Sequence, residues 1–231
     1  MTKSMEFLLY KERLFIIDDC VQKPDRYSFF LEENTIINPG EMVLDLTTGS
    51  GFHAIMIATI AAQVVAVDIL PSAIECARRN VQINKLDDKI QIREGDLYKV
   101  LGAEEKFNLI IAWPPLFPTP PNKHRIDWVG VSTEGGIDGR HIIDQIIMNA
   151  PKHLYRNGRL QILHAWYNNF KKSLEMLNTL GFRAEITAEC YFPIGNLSFE
   201  RADYLKELGY PLIEKDGELL QHHAIITGWF L

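Results

Sequence analysis

The chain runs to 231 residues, 47% of them hydrophobic, enough to bury a large core in one domain without disulfide or metal staples. Its formal charge of -6 argues against a broad phosphate-binding face, so nucleic acid is not an expected partner. The 3 cysteines, Cys20, Cys76 and Cys190, are scattered and odd in number, which points away from a disulfide framework or zinc site and towards reduced cytosol. Met1 to Glu6 is too polar for a signal peptide, and no apolar run approaches the roughly twenty residues of a membrane helix, so the expected compartment is the cytoplasm. The sequence is silent on oligomeric state.

Phe7-Leu8-Leu9 and Leu14-Phe15-Ile16-Ile17 flank a polar turn and read as a small hairpin. Pro24 and Asp25 open a helix carrying Tyr27, Phe29, Phe30 and Leu31. It ends before Asn38-Pro39-Gly40, a turn that launches the first strand of a sheet. That strand, Val43 to Leu46, feeds the loop Thr47-Thr48-Gly49-Ser50-Gly51 and then an apolar run at helical spacing (Ile55, Ile57, Ala58, Ala61). Gly49, Gly51 and Ala54 fit the pattern Gly-x-Gly-x-x-Gly/Ala, in which glycines let the backbone turn sharply and approach a ligand. The second strand, Val64 to Val67, ends at Asp68, and the gap of roughly twenty residues from loop to acid suits a carboxylate that binds ribose hydroxyls. Asp45 separates two cofactor readings. A dinucleotide would set its pyrophosphate beside this carboxylate, whereas S-adenosylmethionine carries an ammonium and a sulfonium that an acid attracts.

Pro71 then starts a helix with Ile74, Ala77 and Val81, and Ile90-Gln91-Ile92 is a short strand leading to Asp96, which reads as the cap of a short helix from Leu97 to Leu101. Phe107 to Ile111 is nearly all apolar and so a central strand. It runs into Ala112-Trp113-Pro114-Pro115-Leu116-Phe117, and the prolines up to Pro121 must carry the chain out over the sheet's carboxyl edge. A loop with His124, Arg125, Asp127 and Trp128 precedes a helix that begins at Asp138-Gly139. Arg159 to His164 is the fifth strand, and Phe170, Leu174 and Leu177 mark a helix closed by Gly181. Phe182 to Ala188 is the sixth strand. A segment of about thirty residues follows, with a helix from Ser198 to Leu208 and a turn at Asp216-Gly217, before a last strand from His223 to Phe230.

This order predicts an α/β fold, a Rossmann-like, seven-stranded, mostly parallel sheet with a terminal antiparallel strand. One domain is expected over 1–231, made of a hairpin and lid helix (1–38), a core (39–188), an insertion (189–220) and the last strand (221–231). Asp45, Asp68, Asp96, Trp113 and His164 fall at carboxyl ends of strands, where such sheets bind ligands. His164, His124 and Asp127 are candidate general bases, each also readable as a residue bonded to backbone or water. His222 and His223 are successive strand residues whose rings point to opposite faces, so no shared metal is expected.

Asp45 to Gly51 closely resembles the Asp-Leu-Gly-Thr-Gly-Ser-Gly loop of class I methyltransferases, with Thr47 where that family prefers glycine. Trp113 to Leu116, with Glu134-Gly135-Gly136-Ile137-Asp138-Gly139, narrows the likeness. From about Val21 to Leu180 the chain is similar to the methyltransferase small domain group, which includes release-factor glutamine and ribosomal-RNA guanine-amine methyltransferases. The resemblance implies S-adenosylmethionine as cofactor, with Asp45 on the methionine ammonium and Thr47, Thr48, Gly49 and Gly51 in close backbone approach. It implies Asp68 and Ile69 at the ribose, Asp96 and Leu97 at the adenine, and Trp113 and Pro114 beside the methyl group. Val21 to Leu31 looks like the family's lid, and equally like an amphipathic helix that caps the core.

Those relatives carry Asn/Asp-Pro-Pro-Tyr/Phe where this chain has Trp113-Pro114-Pro115-Leu116. Their amide accepts hydrogen bonds from a planar amine on which the ring stacks; an indole offers only a donor. The expected acceptor is therefore a small, aromatic or heteroaromatic molecule, enclosed by Phe117, Trp128, Trp166, Tyr167, Tyr191 and Phe192. Two other readings stay open: a protein (glutamine) or RNA amine methyltransferase with a degenerate motif, and a non-catalytic cofactor-binding subunit.

Overall fold

The computed structural model describes residues 5–231; Met1 to Ser4, most of the stretch read as too polar for a signal peptide, lie outside the described residues. Strands β1 (Met5–Tyr10) and β2 (Arg13–Asp18) form the expected hairpin, apart from the main sheet. Helix α1 (Arg26–Glu33) is started by Asp25, whose carboxylate accepts from the N–H groups of Tyr27 at 2.9 Å and Ser28 at 3.4 Å. Strand β3 (Met42–Leu46), helix α2 (Phe52–Ile57), strand β4 (Gln63–Asp68), helix α3 (Pro71–Ile83) and strand β5 (Ile90–Glu94) alternate as the apolar periodicity requires. Strand β6 (Phe107–Ala112) leads into the proline loop, which holds a short helix, α4 (Trp128–Thr133), before α5 (His141–His153). Strand β7 (Leu154–Ala165), helix α6 (Phe170–Thr179) and strand β8 (Phe182–Pro193) follow. Two short helices, α7 (Asn196–Glu200) and α8 (Ala202–Glu207), and strands β9 (Ile213–Lys215) and β10 (Glu218–Phe230) complete the chain. Among the described residues no helix is long and apolar enough to cross a membrane.

The sheet order is β5-β4-β3-β6-β7-β10-β8, parallel from β5 to β7 and antiparallel where β10 meets β7 and β8. The short β9 pairs with β10, making 8 strands where seven were expected. The reason is pairing between neighbours, which extends strands past the apolar runs visible in the sequence. Strand β8 continues beyond Ala188 to Pro193, opposite Leu220, across an irregularity at Ile225/Ile226. The insertion is thereby 194–217, and its expected single helix is broken at Arg201. That guanidinium is drawn inward to the Pro118 carbonyl at 2.9 Å and to the Thr119 hydroxyl. Strand β7 begins at Leu154, earlier than the expected Arg159, and passes through Asn157 at φ 64.

Alternate residues of the central strands feed two apolar layers, as the period of two requires. Leu44 and Ile110 pack with Ile143, Ile146 and Leu160 on one side. Val43, Leu109 and Ile111 pack with Ile55, Leu31 and Phe15 on the other. The hairpin joins this second layer through α3, where Asn80 Oδ1 accepts from the Ile16 N–H at 2.8 Å and Asn84 Oδ1 from the Leu14 N–H at 3.2 Å. Strand order reverses between β3 and β6, because the first two crossovers run towards β5 and the next returns to the far side of β3. Helices cover both faces there but leave the carboxyl ends open.

At the opposite edge, the buried Arg159 on β7 donates to the Ile36 carbonyl and to both Glu41 oxygens, at 2.8 Å and 2.6 Å. This fixes the segment that joins α1 to β3. Burial raises the Glu41 pKa, but hydrogen bonds from Arg159 and Asn38 outweigh it and hold the carboxyl at about 2, below its ordinary 4.5. A depressed acid contributes stability above its unfolded pKa and loses it as pH falls through the folded value. Glu41→Gln should therefore cost about 1 to 3 kcal/mol at neutral pH, the usual loss for hydrogen bonds to a charged group. Denaturant titrations should find this gap closing between about pH 4.5 and pH 2; a pH-independent gap would mean that the carboxylate charge is irrelevant.

Candidate active site

A cavity of about 400 Å³ opens at the carboxyl ends of β3, β4 and β6, bounded by the start of α1, the proline loop, α7 and the first residues of β10. Its floor is the glycine loop. The Thr48 N–H bonds the Val67 carbonyl at 3.0 Å, and the Gly51 N–H turns back to the Thr48 carbonyl at 3.0 Å. Gly51 is at φ 80, and a Cβ there would stand 3.2 Å from Ala77 Cβ on α3, so both conformation and helix approach demand glycine. Thr47 occupies the left-handed region at φ 61, where the related loops have glycine. Its hydroxyl is placed against two carbonyls, Leu46 at 2.5 Å and Trp113 at 3.0 Å, which ties the loop to the end of β6.

Asp68 ends β4 with one oxygen accepting from the Gly49 N–H at 2.8 Å and the other from the Leu70 N–H at 3.0 Å. Burial pushes its pKa up, against the pull of those N–H groups. Each carboxylate oxygen keeps a lone pair for a further donor, and Asp68 lines the cavity with the half-exposed Ile69 beside it. Asp45 is placed differently from the expectation that it meets the ligand. It is buried beneath the loop, accepts from the Thr48 hydroxyl at 2.5 Å and lies outside the cavity lining. Burial raises its pKa to about 7, partly offset by Thr48 and the Ala54 N–H.

The remaining sequence candidates divide. Thr47, Thr48, Gly49, Trp113 and Pro114 line the cavity. Asp96 and Leu97 do not: Asp96 reaches Lys99 Nζ at 2.6 Å and makes no cap hydrogen bond, while Leu97 is buried in the core. The three candidate bases also sit elsewhere. His164 is fully buried between the Ile162 carbonyl (3.2 Å) and the Ser173 hydroxyl (2.9 Å), and burial lowers its pKa to about 3. His124 is exposed on Glu134 at 2.5 Å. Asp127 caps α4, accepting from the Gly130 N–H at 3.1 Å, and is paired with Arg125. Proline geometry carries the loop past the cavity, so its distal residues face solvent. Of the aromatic residues expected at the mouth, Phe117 and Tyr167 line the cavity, their rings edge to face at 5.0 Å, while Trp128, Trp166, Tyr191 and Phe192 do not.

Several cavity residues were not among the candidates read from the sequence. Asp25, Tyr27 and Ser28, from the segment that resembles the family's lid, are joined by His53 of α2, and Ser198, Gln221 and His223 come from α7 and β10. The Gln221 amide donates to the Tyr27 hydroxyl and its carbonyl accepts from the Ser198 hydroxyl at 2.9 Å. His53 Nε2 contacts the Ser28 carbonyl at 3.1 Å, and burial lowers its pKa to about 4. The charged groups on the lining are the carboxylates of Asp25 and Asp68, without a lysine or arginine. Such a wall repels a pyrophosphate and suits a phosphate-free cation, so the donor set fits S-adenosylmethionine and not a dinucleotide.

The TRM5/TYW2 methyltransferase domain family matches residues 32–116. A putative protein N5-glutamine methyltransferase of Methanocaldococcus jannaschii is 32% identical over 178 residues, covering 77% of this chain and 88% of that protein. The ribosomal protein uL3 glutamine methyltransferase of Bradyrhizobium diazoefficiens is 39% identical over 127 residues, but this chain spans only 39% of its length. Among solved structures, Trm5 of Methanocaldococcus jannaschii in complex with adenosine superposes with a TM-score of 0.60 at 15% identity, covering 100% of this chain and 58% of that one; this likeness is one of fold.

The placement of Asp45 has a measurable consequence. An acid whose folded pKa is raised binds more protons folded than unfolded, so its contribution to stability falls with rising pH between the two values. Asp45→Asn should accordingly gain on the wild type as pH rises from about 4 to about 7, and hold that gain above. Urea midpoints of the ligand-free proteins measure it; a difference that ignores pH would refute the buried carboxyl.

Proposed function

The chain belongs to the class I S-adenosylmethionine-dependent methyltransferases of the small-domain type, and from that premise we propose that it methylates a primary amide nitrogen of a protein, a glutamine side chain being the acceptor class. The observation that carries the proposal is the relative named as a glutamine methyltransferase that matches along most of its own length. This replaces the expectation of a small aromatic acceptor, which rested on Trp113, Leu116 and an aromatic mouth of which Phe117 and Tyr167 line the cavity. The net charge of -6 and a cavity lining without lysine or arginine favour protein over RNA. Three free thiols suit a reducing compartment, and the cytoplasm is the proposed place of work.

S-adenosylmethionine, when bound, supplies a methyl group on a positively charged sulfur. The chain's own contribution is alignment and exclusion of water. Gly49 and Gly51 allow the loop backbone to come close, and Asp45 acts through Thr48 to hold that loop's shape. Asp68 receives the ribose hydroxyls, Ile69 offers an apolar face to the adenine, and Asp25 adds negative charge for the cation. Thr47 keeps Trp113 and Pro114 against the loop, so that the acceptor nitrogen and the methyl meet at the reversal of strand order. His124, Asp127, His164, Asp96 and Leu97 receive no role.

Calorimetric titration should find S-adenosylmethionine bound and NAD not bound. Asp68→Ala should weaken cofactor binding by about 1 to 3 kcal/mol, and an unchanged affinity would remove Asp68 from the ribose. The acceptor class turns on Trp113→Asn, assayed on glutamine-bearing proteins, ribosomal RNA and small aromatics. Restoring the amide should preserve or raise protein methylation. A sharp fall, with small aromatics as the better wild-type substrates, would return the enzyme to small-molecule chemistry, and RNA methylation would redirect the macromolecule.

A further inference from the structure

We propose that His223 takes over the task for which Trp113 lacks a group: its imidazole accepts a hydrogen bond from the N–H of the acceptor nitrogen and so aims that nitrogen's lone pair at the methyl group. The inference rests on the amide-nitrogen reading above. Trp113 offers one N–H and no acceptor on its side chain, and its backbone carbonyl already receives the Thr47 hydroxyl at 3.0 Å. Another wall of the cavity must hold the amine.

His223 is 5% exposed and lines the cavity, and its Nδ1 is sealed inside the protein with the Gln221 backbone carbonyl as the polar group beside it. Register brings it to the right edge. Ala112, the last residue of β6, is level with Ile162 of β7, while His223 is level with Ala165, further towards the carboxyl ends where Trp113 emerges. Tyr27 neighbours both rings, with centroids 4.4 Å from His223 and 6.0 Å from Trp113.

Two other polar side chains beside His223 and Tyr27 are committed. Both ends of the Gln221 amide are engaged, by Tyr27 and Ser198, and His53 Nε2 is held at the Ser28 carbonyl. Burial lowers the His223 pKa to about 3, so the ring is neutral and carries one lone-pair nitrogen beside one N–H. With Nδ1 donating to the Gln221 backbone carbonyl, the lone pair is left to Nε2, the nitrogen that a ligand in the cavity would meet. On transfer, the amide nitrogen's lone pair forms the N–C bond, the C–S electron pair stays on sulfur as the thioether forms, and the nitrogen's proton passes along its hydrogen bond to the imidazole and on to water. Tyr27, Trp113 and Tyr167 give this part of the cavity an aromatic lining.

The test uses the full chain with a protein substrate bearing the glutamine that the wild type methylates. His223→Phe keeps a ring but removes the lone pair, and should lower kcat about a hundredfold or more, the scale for a lost positioned acceptor or proton-transfer group, with calorimetric S-adenosylmethionine affinity unchanged. His223→Asn restores an acceptor and should recover part of the loss. In the wild type loaded with S-adenosylhomocysteine, imidazole nitrogen NMR should register N-acetylglutamine amide and ignore its N,N-dimethyl analogue. Full activity of His223→Phe, or a ring signal blind to the primary amide, overturns the role of His223 and leaves the amide reading standing. Absence of any N-methyl product from the wild type overturns both.

Discussion

One hydroxyl group links the two halves of the sheet at the point where their order reverses. Thr47 leaves β3 in the left-handed region, costly for a β-branched residue, and holds there by setting its Oγ1 against the Leu46 and Trp113 carbonyls. Loop and proline segment are thereby registered to one another. The distance between the glycine loop and the first residue beyond β6 follows from that contact. Everything lining the cavity above it is arranged around this pair.

The electrostatics of the site have the same origin. Crossovers pack helices against both faces of the sheet, so acids at strand ends are taken out of water, and the cavity lining holds no lysine or arginine. Asp45 is pushed up to about 7 and Asp68 is also raised, whereas the imidazoles of His53 and His223 are held neutral. A cationic ligand relieves the two acids and asks nothing of the histidines. A polyanion would find no compensating charge on the lining. The cavity thus selects on charge before any shape matching begins.

The altered motif illustrates how a site tolerates loss of a positioned amide. Trp113 contributes a wall and a carbonyl already engaged by Thr47, and Leu116 contributes packing. Polar recognition moves to the antiparallel strand that inserts between β7 and β8. That strand brings Gln221 and His223 over the carboxyl edge from the opposite direction, where Tyr27 of α1 meets them. Arg201 anchors the adjoining insertion to the proline loop through the Pro118 carbonyl and an ion pair with the buried Glu134 at 3.5 Å, so two walls of the cavity are tied together.

Local pattern was sufficient for the order of the long strands and helices, though not for α4, β9 or the split of the insertion's helix, and for the glycine loop, Asp68 at the end of β4 and the break at Trp113-Pro114, because periodicity, turn residues and proline act over a few residues. It was also sufficient for the class of cofactor. Tertiary structure alone decided which acids line the cavity: Asp45 and Asp96 fall at strand ends in the sequence, yet one is turned under the loop by Thr48 and the other out to Lys99. It likewise removed His164, His124 and Asp127 from the site and brought in Asp25, Tyr27, Gln221 and His223 from segments far apart in the chain. The physical reason is directional. A sequence records how often side chains alternate, while the side on which a given one emerges is set by register, by a strand extended past its apolar run and by hydrogen bonds between residues nearly two hundred positions apart, as between Tyr27 and Gln221.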